Sequence, residues 1–517
     1  MWEVTEKYES IKNCTYYDLL AFLCWAISNL DDYQRKGLYK DFTKNYASIM
    51  DRRCTRFSFL TAKGTQGPIK YDALTSQMYL ELQELFVAEE TADWPMILAV
   101  AVQIDTIIEY EPNLRDFTRK RPVFDVSGVK CPPVDMKPID VSNYFYSLNS
   151  LNPKTDSTFG EVLPRIPHRW ARAETRSLAS VQMNPLSYLK NYMWLPPSNT
   201  EWIVEHLLIQ PINRNNRATK IITSPLSCQA PFLIEKKEDS YFNIKYIDEG
   251  SRQITSRIKS ITDAAIAKQA DIVVFPEMLA TLECVAQCSD YFRRRTGKKC
   301  PYLFMLPTIE YQRNGKWVNQ LIALDADGYC VFGYNKQHPF ILESKDKGGK
   351  GEKLKFYEPI ESDHRIYVIH VPNVGRIGII ICSDVFCEGY LNHVVKQYKI
   401  TLLLHVVCSN GKDLLRRSLA VTQEQMCDVV ICNTCAAWDT AELPFFERPP
   451  TNLSNKALVT AYIPNGHKDT DDKIFAGCGK TKDCKGCMLT LELPEAYVDP
   501  VKDIVVAYPE NEEGNYV

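Results

Sequence analysis

The chain has 517 residues, 45% of them hydrophobic and 24% charged. That is a globular composition, too long for one ordinary core, so two or three domains are expected. A formal net charge of -3 excludes a strongly basic surface made for nucleic acid or anionic membrane, and the 18 cysteines read as buried thiols of a reducing compartment rather than a disulfide framework.

The N-terminus, MWEVTEKYESIKNC, mixes charges and has no apolar signal core, so a cytoplasmic protein is expected. Residues 17–30 (YDLLAFLCWAISNL) are too few to span a bilayer and read as a buried helix. With 74–90 and 95–110, where apolar residues recur at three-to-four spacing, they predict a mainly helical domain over 1–111. From 112 to 219 prolines recur and rule out long helices. Short helices are expected there within 169–182 and 202–209. Tyr144, Tyr146, Trp170, Tyr188, Tyr192 and Trp194 mark this connecting region as packed rather than disordered. The basic runs 115–121 (RDFTRKR) and 293–299 (RRRTGKK) are short enough to be solvated loops.

Beyond about residue 220 the pattern alternates. A helix is predicted over 254–270, followed directly by DIVVF at 271–275. Further strands are predicted at 302–306, 320–324, 365–371, 376–381, 400–407 and 429–433, with helices at 389–398 and 412–426. Strands alternating with helices predict an α/β layered domain over 220–517.

Three polar residues in this half each stand at the end of an apolar run: Glu277 after DIVVFP, Lys336 after VFGYN, and Cys382 after RIGIII. Open α/β sheets gather reactive groups at the carboxyl ends of strands. A thiol is a weak nucleophile unless a base or cation favours its thiolate. Glu277 is suited to take the thiol proton, and Lys336 to hold a developing oxyanion.

The order Glu, Lys, Cys resembles the nitrilase superfamily of carbon–nitrogen hydrolases. The matching pieces are VVFPEM, DADGYCVFGYNKQHPF and IGIIICSD. Asn319 in WVNQLIALDADG and the passage RSLAVTQEQMCDVVIC at 417–432 extend the resemblance over roughly 220–493. It implies a four-layer α-β-β-α sandwich. It also implies hydrolysis of a non-peptide carbon–nitrogen bond, an amide or nitrile of a small molecule, through a Cys382 thioester. The stretch EKLKFYEP looks like the segment carrying the family's second glutamate, which would be Glu352. No cofactor or metal is implied, and homo-oligomerisation is. The chain departs from the pattern at Ser383, where the family usually has an aromatic residue, and in the shortened VFCE run.

The alternative is a nitrilase-fold ligand-binding or interaction module without turnover, part of a larger assembly such as a bacterial defence protein, in some of which domains of this type occur fused. The helical N-terminal domain offers a surface for a protein partner. Neither a membrane nor nucleic acid is expected among the partners. Cys478, Cys484 and Cys487 (GCGKTKDCKGC) have only one pair at zinc-ligand spacing and are expected to bind no zinc.

Overall fold

A computed structural model describes residues 16–56, 76–87, 92–107, 183–197 and 202–438, the last with short gaps at 212–217, 228, 238–239, 296–300, 327, 329, 345–353, 372–373, 411 and 426. It also describes the segments 125–126, 129–130, 143–147, 159–164, 459–463, 472–476, 488–493 and 505–507. The chain divides into two compact units, one built of 1–118, 148–165 and 173–201, the other of 119–147, 166–172 and 202–517. The expected helix within 169–182, the run 115–121 and the thiols Cys478, Cys484 and Cys487 lie outside the described residues.

The first unit is mostly helical. Tyr16–Ser28 and Trp94–Ile107 are apolar nearly all round, as a helix at the centre of a core must be. Asp32–Arg56 and Ser76–Val87 are further helices among its described residues. Phe22 meets Phe86 and Phe159 edge-on, at 5.5 and 5.1 Å between ring centroids. A short antiparallel pair, Glu161–Pro164 with Tyr192–Leu195, closes the unit. Among its described residues the strongly buried acid is Asp105, 1% exposed. The carboxylate accepts the backbone N–H groups of Lys190 at 2.8 Å, Asn191 at 3.0 Å and Tyr192 at 2.8 Å, so it caps the turn that leads into Tyr192–Leu195.

The second unit is α/β and holds two eight-stranded sheets. In the first sheet, Ile272–Val274 runs parallel to both Thr219–Thr223 and Leu303–Met305. Antiparallel strands Ile309–Arg313, Lys316–Leu324 and Cys330–Asn335 continue one side. In the second, Leu402–Val407 lies parallel between Gly375–Ile381 and Asp428–Asn433. Apart from Arg376 and His405 these central strands are apolar (IVV, GRIGIII, LLLHVV), the composition of strands buried on both faces. The helix Asp248–Ala267 buries Ile254, Ile258, Ile261 and Ala265 at helical spacing, in one core with Val273, Phe275 and Phe304. Asp248 and Glu249 in its first turn complement the positive helix N-terminus. Between the sheets, the Cys432 thiol points at the Val274 carbonyl at 3.6 Å, and Phe332 stacks on Tyr367 with centroids 4.6 Å apart.

One element reverses its expectation. The helix expected within 202–209 is the strand Ile203–Pro211, paired parallel with Arg365–Val371 and antiparallel with Asn143–Ser147. The sequence IVEHLLIQP satisfies helical spacing, but two flanking strands supply backbone partners along the segment, and tertiary pairing overrides a local pattern. The second sheet therefore takes in two strands from the proline-rich stretch. Among the described residues, no helix is long and apolar enough to cross a membrane.

Replacing Asp105 by alanine leaves three backbone donors without their acceptor. The expected loss is about 2–4 kcal/mol of unfolding free energy, read by denaturant titration. A change within 0.5 kcal/mol would show that water replaces the carboxylate at no cost.

Candidate active site

Glu277 follows the strand Ile272–Val274, which ends in Phe275 and Pro276. It is 1% exposed, and the next residue, Met278, has a φ of 63°. That left-handed turn is held by the Thr308 hydroxyl, which accepts the Met278 N–H at 2.8 Å. The chain thus breaks direction as soon as the acid is placed. One Glu277 oxygen, Oε1, accepts from Lys336 Nζ at 2.8 Å and from Asn319 Nδ2 at 3.0 Å. The other accepts the backbone N–H of Cys408 at 3.0 Å.

Lys336 closes the strand Cys330–Asn335 and is 1% exposed. Its ammonium also donates to Glu358 Oε2 at 2.7 Å. Asn319 bridges the same two acids, since Nδ2 donates to Glu358 Oε1 at 2.9 Å as well. Glu358 further accepts the Phe340 N–H at 2.8 Å. Burial opposes the charge on Lys336, yet the two carboxylates hold its pKa well above the ordinary lysine value. Burial raises Glu277, while Lys336 pulls it down and Glu358 pushes it further up.

Cys382 is the residue at which the strand Gly375–Ile381 turns into a short 3₁₀ segment. Its φ of 43° is left-handed, a conformation that costs a non-glycine residue on the order of 1 kcal/mol and gathers at functional turns. The thiol is 3% exposed and lies within reach of the charges of both Glu277 and Lys336. Burial and the Glu277 charge raise its pKa well above the usual thiol value, against the pull of Lys336. At rest this is a protonated thiol aimed at a base.

Two further groups hold the turn. The Asp384 carboxylate accepts the N–H groups of Gln337 and His338, both at 2.8 Å, and of Ile381 at 3.0 Å. One acid thereby ties the residues after Lys336 to those around Cys382. Burial lifts Asp384 to about 7, opposed by these backbone donors. On the far side His405 Nε2 lies 3.0 Å from the Cys382 carbonyl, and Nδ1 lies 3.0 Å from the Ser418 hydroxyl. Burial lowers His405 to about 4, so at neutral pH it is uncharged. Its Nε2–H donates to the carbonyl, and Nδ1 accepts from Ser418.

Of the four site residues expected from the sequence, Glu277, Lys336 and Cys382 come together here. Glu352 lies outside the described residues, and the second carboxylate on Lys336 is Glu358, six positions along the same EKLKFYEP stretch. Asp384 was visible beside the cysteine, but nothing in its spacing signalled that it binds the Lys336 segment.

No family model and no curated protein matches the chain. Among solved structures it is similar to the C. elegans NitFhit protein, at 18% identity and a TM-score of 0.35, over 54% of this chain and 61% of that one. It is also similar to an amidase from Nesterenkonia sp., at 12% identity and TM-score 0.33, over 55% and 93%. A third is Saccharomyces cerevisiae Nit3, described as a member of branch 10 of the nitrilase superfamily, at 13% identity and TM-score 0.33, over 54% and 92%. The chain thus spans about three fifths of the length of NitFhit.

Replacing Lys336 by methionine strips a buried carboxylate pair of its cation, with an expected cost of about 3–5 kcal/mol at neutral pH. Glu277 already has a folded-state pKa above the ordinary 4.5, so its contribution is present in full below the unfolded value and is lost as pH rises through the folded one. Without the ammonium the folded value moves further up. The variant should therefore lose stability steadily from pH 5 to 8, more steeply than wild type. Parallel stability–pH curves for the two proteins would contradict this account of the cluster.

Proposed function

We propose that the α/β unit is a carbon–nitrogen hydrolase of the nitrilase type, with Cys382 attacking a small-molecule amide. The observation that carries the reading is the buried ammonium of Lys336, clamped between Glu277 and Glu358 beside a thiol held in a left-handed turn. The four-layer α-β-β-α arrangement belongs to the same proposal. It is supported by the helices Asp248–Ala267 and Lys412–Gln425 packing on different sheets and by the contacts of Cys432 and Phe332 between those sheets.

In this mechanism the Cys382 sulfur bonds to the amide carbon as its proton passes to Glu277. Both groups are raised by burial, so neither the thiolate nor the carboxylic acid has to persist alone, and proton transfer accompanies attack. The negative charge that forms on the carbonyl oxygen is stabilised by Lys336, whose ammonium is fixed before substrate arrives and needs no reorganisation. Glu277 then protonates the leaving amine as the carbon–nitrogen bond breaks, leaving a thioester on Cys382. Water attacks that thioester, gives its proton to Glu277, and the sulfur recovers a proton as the acid leaves. Glu358 touches Lys336 and not the thiol's proton path; its role is to hold the ammonium in line. Asn319 joins the two carboxylates from the other side.

The test is ammonia release from a panel of short aliphatic amides and their nitriles. Turnover is expected for at least one amide, lost to background in Cys382→Ala and Glu277→Gln. Lys336→Ala should cost roughly 10²–10³-fold in kcat, the usual weight of one oxyanion partner. Melting curves must first establish that each variant folds. Turnover that survives Cys382→Ala would overturn the assignment.

A further inference from the structure

Two buried acceptor atoms lie beside this cluster with no donor facing them. Glu310 and Asn319 stand directly opposite each other on neighbouring antiparallel strands, so their side chains leave the same face of the sheet, with Cβ atoms roughly 5 Å apart. Asn319 is 0% exposed and Glu310 5%. Asn319 spends its amide N–H₂ on Glu277 and Glu358, and its Oδ1 accepts nothing. Glu310 Oε1 accepts the Ile244 N–H at 3.3 Å, and its Oε2 has no partner. Buried acceptors left this way are costly, and a site recovers that cost when a ligand supplies the donors.

The charges agree. Glu277 and Glu358 lie on one lysine, and ionising Glu310 adds a third carboxylate to that single cation; the charges of Glu358, Glu277 and Lys336 all reach Glu310. Tyr246 borders Glu310: its hydroxyl accepts the Glu310 N–H at 3.1 Å, and the charges of Glu277 and Cys408 reach it.

We infer that Glu310 and Asn319 form a subsite for an ammonium group, so that the substrate is an amide carrying a primary amine on its acyl part. The inference rests on the amidase reading for the position of the scissile carbonyl. Glu310 is a specificity residue here and takes no part in the chemistry. Burial and the Glu358 charge lift it to about 8. A cation binds the ionised form, so affinity for an amine-bearing amide rises with pH up to about that value. A neutral amide gains nothing from this ionisation.

The test uses Cys382→Ala protein and isosteric pairs: 3-aminopropanamide against butanamide, 4-aminobutanamide against pentanamide, 5-aminopentanamide against hexanamide. Calorimetric binding is measured at several pH values between 6 and 8.5. At least one amine should bind tenfold or more tighter than its alkyl partner, with the preference growing as pH rises. Adding Glu310→Gln should abolish the preference and leave alkyl-amide affinity within about twofold. In the active enzyme the same substitution should raise KM for the amine substrate and leave kcat nearly unchanged. If Glu310→Gln fails to fold, the pH series on the Cys382→Ala protein alone decides. No preference in any pair, a preference indifferent to pH, or one that survives Glu310→Gln would overturn the subsite. Amine preference without hydrolysis by the active enzyme would instead defeat the amidase reading and leave the subsite standing.

Discussion

The ammonium of Lys336, buried between Glu277 and Glu358, is the constraint on which the rest of the site depends. A charge taken out of water is tolerated only when it is paired and its donors are used. Each of the three groups therefore dictates the path of the strand or loop that carries it. The strand Ile272–Val274 must end at Pro276 to turn Glu277 inward. The strand Cys330–Asn335 must deliver Lys336 opposite Asn319, whose carbonyl accepts the Lys336 N–H at 2.8 Å. The segment after Leu354–Tyr357 must bring Glu358 back against Phe340, with which it exchanges a backbone bond at 2.9 Å. None of these paths is set by local propensity. The ion cluster fixes them, and they leave Cys382 facing a base and a cation already in place.

Asp384 is the second tie. It accepts donors from the Lys336 segment and from the cysteine turn, so the spacing between the Cys382 turn and the Lys336 segment is set by one carboxylate rather than by packing alone. The Ser383 hydroxyl adds a bond to the His338 carbonyl at 2.6 Å. A serine after Cys382, where an aromatic residue was expected from the resemblance, thereby has a structural use. His405 holds the Cys382 carbonyl from the opposite side. Together these contacts offset the left-handed backbone at Cys382, which would otherwise relax.

Much of the site was legible in the sequence because its signals are local. A polar residue that ends a β-branched run has few readings, and Glu277, Lys336 and Cys382 each stood in that position. Asn319 was marked by its place in WVNQLIALDADG. The second glutamate was harder. EKLKFYEP offers two, and only the antiparallel pair Ile341–Ser344 with Leu354–Tyr357 brings Glu358 to the ammonium; strand register is not written in an eight-residue stretch. Glu310 was unreadable because its importance comes from the residue opposite it on another strand. The strand Ile203–Pro211 was hidden for a related reason, since its partners lie some 60 and 160 residues away and its own pattern fits a helix. What sequence conceals here is pairing between distant segments; what it reveals is chemistry at strand ends.

The central claim is that Cys382 becomes covalently acylated because a pre-formed Glu–Lys–Glu cluster faces it. The most direct measurement is peptide-resolved mass spectrometry of the enzyme acid-quenched during turnover of an amide substrate. The account predicts an added acyl mass on the Cys382 peptide, absent from Cys382→Ala under the same conditions and abolished by Glu277→Gln. An acyl mass found on Cys408 instead, or product formed with no acyl-enzyme on any cysteine, would contradict it.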